Sequence, residues 1–171
     1  AGGGAGDPVR LGATGGDGDT GDGAGIMVQL PDEFFRRQAA DLEIDLPPSG
    51  DYATGMFFLP GRSETADRIR ALAVGCLERA GLRVLGWREV PLRPDCLGEQ
   101  ARLGLPRVAQ LLVGRGVVGR DGFENALYLA RREMEREAPA EGAEDFHVAS
   151  LSPRTIVYKG LLTATQLPRF F

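Results

Sequence analysis

Six apolar residues at helical spacing set the first limit on the architecture. Ile69, Leu72, Ala73, Cys76, Leu77 and Ala80 recur at i, i+3, i+4, i+7, i+8 and i+11, so a helix here carries all six on one stripe. Ser63 is placed to cap its start, and Gly81 supplies a C-terminal stop. Such a stripe has to be buried against another element. The flanking sequence offers one on each side. Tyr52 to Leu59, with the run Met56-Phe57-Phe58-Leu59 closed by Pro60-Gly61, reads as a buried strand, and Leu82 to Val90, which holds Trp87, reads as the next.

The rest of the chain follows the same grammar. Ala1 to Gly25 is mostly glycine, alanine, aspartate and threonine with no apolar period, and loop or disorder is expected there. Residues 1–18 form a Gly-rich disordered or degraded segment on this reading, and 19–171 the domain. Ile26 to Leu30 reads as a strand, and Pro31-Asp32-Glu33 opens a helix carrying Phe34, Phe35, Gln38, Ala39 and Leu42, which Pro47-Pro48-Ser49-Gly50 ends. Pro91 to Gly98 is a loop and Val108 to Val113 a strand. Phe123, Ala126, Leu127, Ala130 and Met134 mark a second amphipathic helix, with Arg131 to Glu137 on its solvated face. His147 to Ser150 and Thr155 to Tyr158 read as strands about a Ser152-Pro153 turn. The fold class expected is α+β, a helix layer over a sheet that is largely antiparallel or mixed.

Charge and composition narrow the function. With 171 residues, 43% hydrophobic, and a net charge of -4, the chain has ample material for a core and no basic excess for phosphates or anionic lipid. Nucleic-acid and membrane partners are not expected, no apolar run approaches the roughly 20 residues of a membrane span, and the expected location is cytoplasmic. Two cysteines and one histidine do not make a four-ligand zinc site, so no metal is expected. Gly16-Asp17-Gly18-Asp19-Thr20-Gly21 satisfies G-x-G-x-x-G, but no strand precedes it and its two aspartates oppose a pyrophosphate. As a calcium loop the same segment lacks the bidentate glutamate, because Val28 stands at position twelve. Cys76 reads as a small buried hydrophobe, Cys96 as a loop cysteine and His147 as a structural histidine. No nucleophile-base pair is visible.

Longer matches carry a resemblance. Asp19-Thr20-Gly21-Asp22-Gly23-Ala24-Gly25-Ile26 with Gln29-Leu30-Pro31, then Tyr52 to Pro60, then Val84-Leu85-Gly86-Trp87-Arg88-Glu89-Val90-Pro91, come in order. Leu105-Pro106-Arg107-Val108, Phe123-Glu124 with Leu127 to Arg132, and Ser150 to Leu161 with Gln166 to Phe170 continue the series. Together they resemble the glutamine amidotransferase type-2 domain of the glutamate synthase large subunit. The resemblance implies part of an N-terminal-nucleophile hydrolase, an αββα sandwich. It also implies a cysteine at the mature N-terminus whose thiol attacks the glutamine side-chain amide while the α-amino group serves as base, yielding glutamate and ammonia. FMN and an iron-sulfur cluster are implied for the full-length family and no cofactor for this segment, with the remaining synthase domains as partners. Arg10, in Arg10-Leu11-Gly12-Ala13 facing the family's H-R-G-A, and Gly21, Asp22 and Gly23 are the expected substrate-binding residues. The chain begins Ala1-Gly2-Gly3-Gly4, so no catalytic residue is assigned. The expectation is a partial amidotransferase domain, inactive as given; the alternative is a noncatalytic binding or regulatory module derived from it.

Overall fold

The structure, a computed structural model, describes residues 21 and 23–171. In chain order its elements are β1 (Ala24–Gln29), α1 (Asp32–Asp41), β2 (Tyr52–Leu59), α2 (Ser63–Arg79), β3 (Arg83–Glu89), α3 (Glu99–Leu103), β4 (Arg107–Gly114), α4 (Arg120–Glu137), β5 (His147–Ser152), β6 (Thr155–Gly160) and α5 (Leu167–Phe170). Short 3-10 turns occupy Pro94–Cys96 and Ala138–Glu141. The described chain falls into two compact units. The larger holds residues 26–92 and 105–158; the smaller holds 93–104 and 159–171 with the described residues up to Gly25.

In the larger unit four strands pair in the order β3-β4-β2-β5, every neighbour antiparallel. Residues alternate between the faces of a strand, so the register sorts side chains into two sets. Phe57 stands opposite Ala109 and Val148, and Trp87 opposite Leu111. These face the stripes of α2 and α4, where Ile69, Ala73, Cys76 and Leu77 share one core with Phe123, Leu127, Ala130 and Met134. Phe57 meets Trp87 edge-on, with ring centroids 5.1 Å apart. Tyr52, Thr54, Met56, Gln110, Leu112 and Arg88 point the other way. That face meets α1 through Gln38 and β6 through Tyr158. The architecture is α+β, as expected.

Two local features differ from the sequence reading. Ser63 lies inside α2 rather than capping it; Arg62 holds the cap position without a side-chain bond, and the Ser63 hydroxyl instead accepts from Arg107 at 2.9 Å. The C-terminal stop is as expected. Gly81 has φ +78°, its N–H bonds the Glu78 carbonyl, and Leu82 N–H returns to Leu77, a paired closure of the last turn. The second difference concerns Ser152-Pro153, because the strands on either side join different sheets: β5 pairs with β2, while β6 pairs with β1 in a two-stranded ribbon. Serine hydroxyls stabilise the corner. Ser152 Oγ accepts from Arg154 N–H at 3.1 Å and Ser150 Oγ from Val157 N–H at 3.0 Å, so backbone amides leaving one sheet find side-chain partners.

Asp51 ties three element ends together. Its carboxylate accepts from Arg115 Nε at 3.0 Å and from Arg120 at 2.8 and 2.9 Å, which joins the start of β2 to the end of β4 and the first turn of α4. The Arg120 hydrogen bond, with help from Arg115, holds the carboxyl below its ordinary range. A lowered carboxyl pKa contributes stability that is present above the unfolded value of about 3.9 and is lost as pH falls through the folded one. Asp51→Asn should therefore flatten the acid limb of thermal stability between about pH 5 and pH 2. Parallel acid limbs for variant and parent would show that the clamp does not couple to folding.

Candidate functional site

The glycine-rich approach to β1 is built by close backbone packing. Gly21 is buried, and a Cβ added there would collide with the Leu162 carbonyl group and the Thr163 nitrogen, so only glycine lets the chain pass. Gly23 has φ +138°, a conformation that L side chains rarely adopt, and lies beside the Gly160 carbonyl. Two of the four expected substrate-binding residues, Gly21 and Gly23, are thus placed along one wall formed by residues 160–163. Arg10 and Asp22 lie outside the described residues.

A polar group occupies the second face of the four-stranded sheet. Arg88 donates to the Gln38 side-chain oxygen, 2.8 Å from Nε, and to Gln110 Oε1 at 2.9 Å, while Gln110 Nε2 donates to the Tyr158 hydroxyl at 3.3 Å. The guanidinium also sits 5.3 Å from the Phe34 ring centroid. These oxygens are neutral amides, and burial pushes the Arg88 pKa down, though a guanidinium stays charged. Nearby, Asp32 accepts from Arg36 Nε at 2.8 Å and from the Tyr52 hydroxyl at 2.9 Å. The Arg36 bond holds the Asp32 carboxyl low, and burial drives the fully enclosed Tyr52 phenol upward. Both groups are positioned to fix α1 over the sheet; neither leaves a base free to take a proton.

The thiols divide by environment. Cys76 is fully buried on α2, and burial, followed by the Glu133 carboxylate, pushes its pKa up to about 11. Cys96 is partly exposed and donates to the Arg93 carbonyl at 3.1 Å, beside a cavity of about 300 Å3 lined by Arg93, Asp95, Cys96, Pro168 and Arg169. The His147 ring lies against Phe58 with centroids 5.9 Å apart.

Comparison with known proteins supplies what the described side chains leave open. The pattern of the class-II glutamine amidotransferases matches residues 9–171. The chain belongs to that family. It is 41% identical over 162 residues to the glutamate synthase [NADPH] large chain of Bacillus subtilis, covering 94% of this chain and 10% of that one. It is 37% identical to the corresponding large chain of Azospirillum brasilense, with 94% and 11% covered, and 38% identical to ferredoxin-dependent glutamate synthase 2 of Synechocystis, with 91% and 10% covered. The chain spans about a tenth of the length of these curated relatives.

Sequence reasoning missed the Arg88, Gln38, Gln110 and Tyr158 group, whose one visible signal was Gln110 standing alone among apolar residues from Val108 to Val113. It also read Cys76 without its carboxylate neighbours. The contrast between the thiols is directly measurable. At about pH 8 an alkylating reagent should modify Cys96 in the native chain and leave Cys76 untouched until denaturant is added, as read by peptide mass spectrometry. Equal labelling in the folded chain would contradict the burial of Cys76.

Proposed function

We propose that this chain is the glutamine amidotransferase part of a glutamate synthase large chain. The observation that carries this is the identity across nine-tenths or more of the chain to synthases of both the NADPH and ferredoxin kinds. On this reading residues 19–171 form a partial amidotransferase domain and glutamine is the substrate. A thiol attacks the side-chain amide carbon, ammonia leaves, and water hydrolyses the thioester to glutamate and the free thiol. The ammonia is consumed by the remaining synthase domains in glutamate biosynthesis, and the enzyme works in the cytoplasm. Arg10, Gly21, Asp22 and Gly23 contribute to the glutamine pocket, with Arg10 suited to a substrate carboxylate and the glycines to close backbone approach.

Neither cysteine present suits the nucleophile's task. Cys76 is enclosed and held in its thiol form, and Cys96 is a partly exposed turn cysteine hydrogen-bonded to the Arg93 carbonyl. The 171-residue polypeptide by itself is therefore proposed to be inactive toward glutamine. Two cysteines also do not satisfy the four ligands of an iron-sulfur cluster, so that cluster and FMN are assigned to other domains of the synthase. No helix among the described residues is long and apolar enough to cross a membrane.

Two measurements test this. The isolated chain should release no glutamate from glutamine; turnover abolished by Cys76→Ser or Cys96→Ser would relocate the nucleophile. In the complete synthase, Gly21→Ala should reduce glutamine-dependent glutamate formation about tenfold or more while ammonia-dependent formation is kept. Unchanged glutamine-dependent activity would favour the noncatalytic module.

A further inference from the structure

The seam between α2 and α4 gathers three metal-ligating groups that the amidotransferase reading does not use. Cys76 and Arg79 lie one turn apart on α2, and Glu133 and Glu137 one turn apart on α4. The Cys76 sulfur and one carboxylate oxygen from each glutamate all lie within 4.8 Å of one another. A cation already marks where they converge. Arg79 Nη2 is 3.2 Å from Cys76 Sγ, 3.1 Å from Glu133 and 3.2 Å from Glu137. Its side chain is 53% exposed. The site therefore has a fixed sulfur at its floor, two adjustable carboxylates as walls and a guanidinium cover able to swing into solvent.

We propose that this seam binds a thiophilic divalent cation of the zinc class, with Cys76, Glu133 and Glu137 as its protein ligands and Arg79 as the displaceable cover. Zinc holds sulfur at about 2.3 Å and carboxylate oxygen at about 2.0–2.2 Å, and in tetrahedral geometry those ligands sit roughly 3.5 Å apart. Glutamate rotamers close the remaining ångström or so, and water fills the fourth position. The buried sulfur selects against magnesium and calcium, which take oxygen ligands. One proton must leave: the Cys76 S–H becomes a metal thiolate, the proton passes to solvent and Arg79 turns outward, with no change of oxidation state. The charged groups facing the thiol are Arg79 from its own helix and Glu133, Arg136 and Glu137 from α4.

The test uses the untagged full chain, stripped with a chelator and titrated with zinc by calorimetry in buffers of different protonation enthalpy, and with cadmium followed by its ultraviolet sulfur-to-metal band. One equivalent should bind, releasing one proton, and the band should appear. Cys96→Ser should leave both readouts unchanged. Cys76→Ser should abolish the band, and Glu133→Gln with Glu137→Gln should weaken zinc binding about tenfold or more. The glutamates are on the surface of the seam, so that double variant carries the test if the cysteine variant does not fold. Arg79→Ala should tighten binding by about tenfold, because it removes the competing cation. A band that survives Cys76→Ser, affinity indifferent to the glutamates, or Arg79→Ala without tighter binding would each overturn the proposal and leave the cluster as an ion pair between two helices.

Discussion

The larger unit depends on β2 being paired on both edges and covered on both faces. Every residue of it from Tyr52 to Phe57 is buried, so its backbone groups have no water to turn to and must find partners in β4 and β5. Gly55 permits the side-chain arrangement above that ladder. A Cβ there would collide with the Phe57 ring and crowd Leu151, so the absent side chain is what lets Phe57 lie where it meets Trp87 and Phe146. The register shift between Met56 and Phe57 has a related effect, stepping past Ala149 so that Val148 and Leu151 both face the helices.

The two faces of this sheet are stabilised by different means. The helix side is a dense apolar core, where exchange of one hydrophobe for another of similar volume is the tolerated change. The opposite side carries a guanidinium, two amides and a phenol, and their hydrogen bonds are directional. Desolvating Arg88 is costly, and its neutral partners return only part of that cost. What such a group contributes is alignment: Gln38 on α1, Gln110 on β4 and Tyr158 on β6 satisfy it in one arrangement of three elements. Two buried atoms, Thr54 Oγ1 and Arg70 Nε, have no hydrogen-bond partner in the structure, and the first of them lies on this polar side.

What was readable in the sequence follows from periodicity. β2, α2 and α4 were recoverable because each is long enough to display its repeat, and the stripe from Ile69 to Leu77 does form the core it implied. α3 and α5 were missed because five and four residues are too few to show a period. The Ser152-Pro153 corner was visible as a turn, but which sheet each strand joins depends on pairings with β1 and β2, far away in sequence. The close packing at Gly21 and Gly23 falls within the segment that carries the family motif, whereas Arg88 and Gln38, 50 positions apart, meet only through the fold.

The cysteines show how this scaffold separates packing from reactivity. A thiol becomes a nucleophile when something stabilises its thiolate or takes its proton. Cys76 has a guanidinium 3.2 Å from its sulfur, which alone would favour the thiolate, yet burial and the Glu133 charge outweigh it and the thiol pKa rises. The enclosure that prevents attack on a substrate also sets the sulfur beside two carboxylates, where, on the proposal above, a divalent charge supplies what one guanidinium shared among three acceptors does not. Covalent chemistry in a class-II amidotransferase draws instead on an α-amino base adjacent to its thiol, a pairing that no residue inside a helix stripe is able to reproduce.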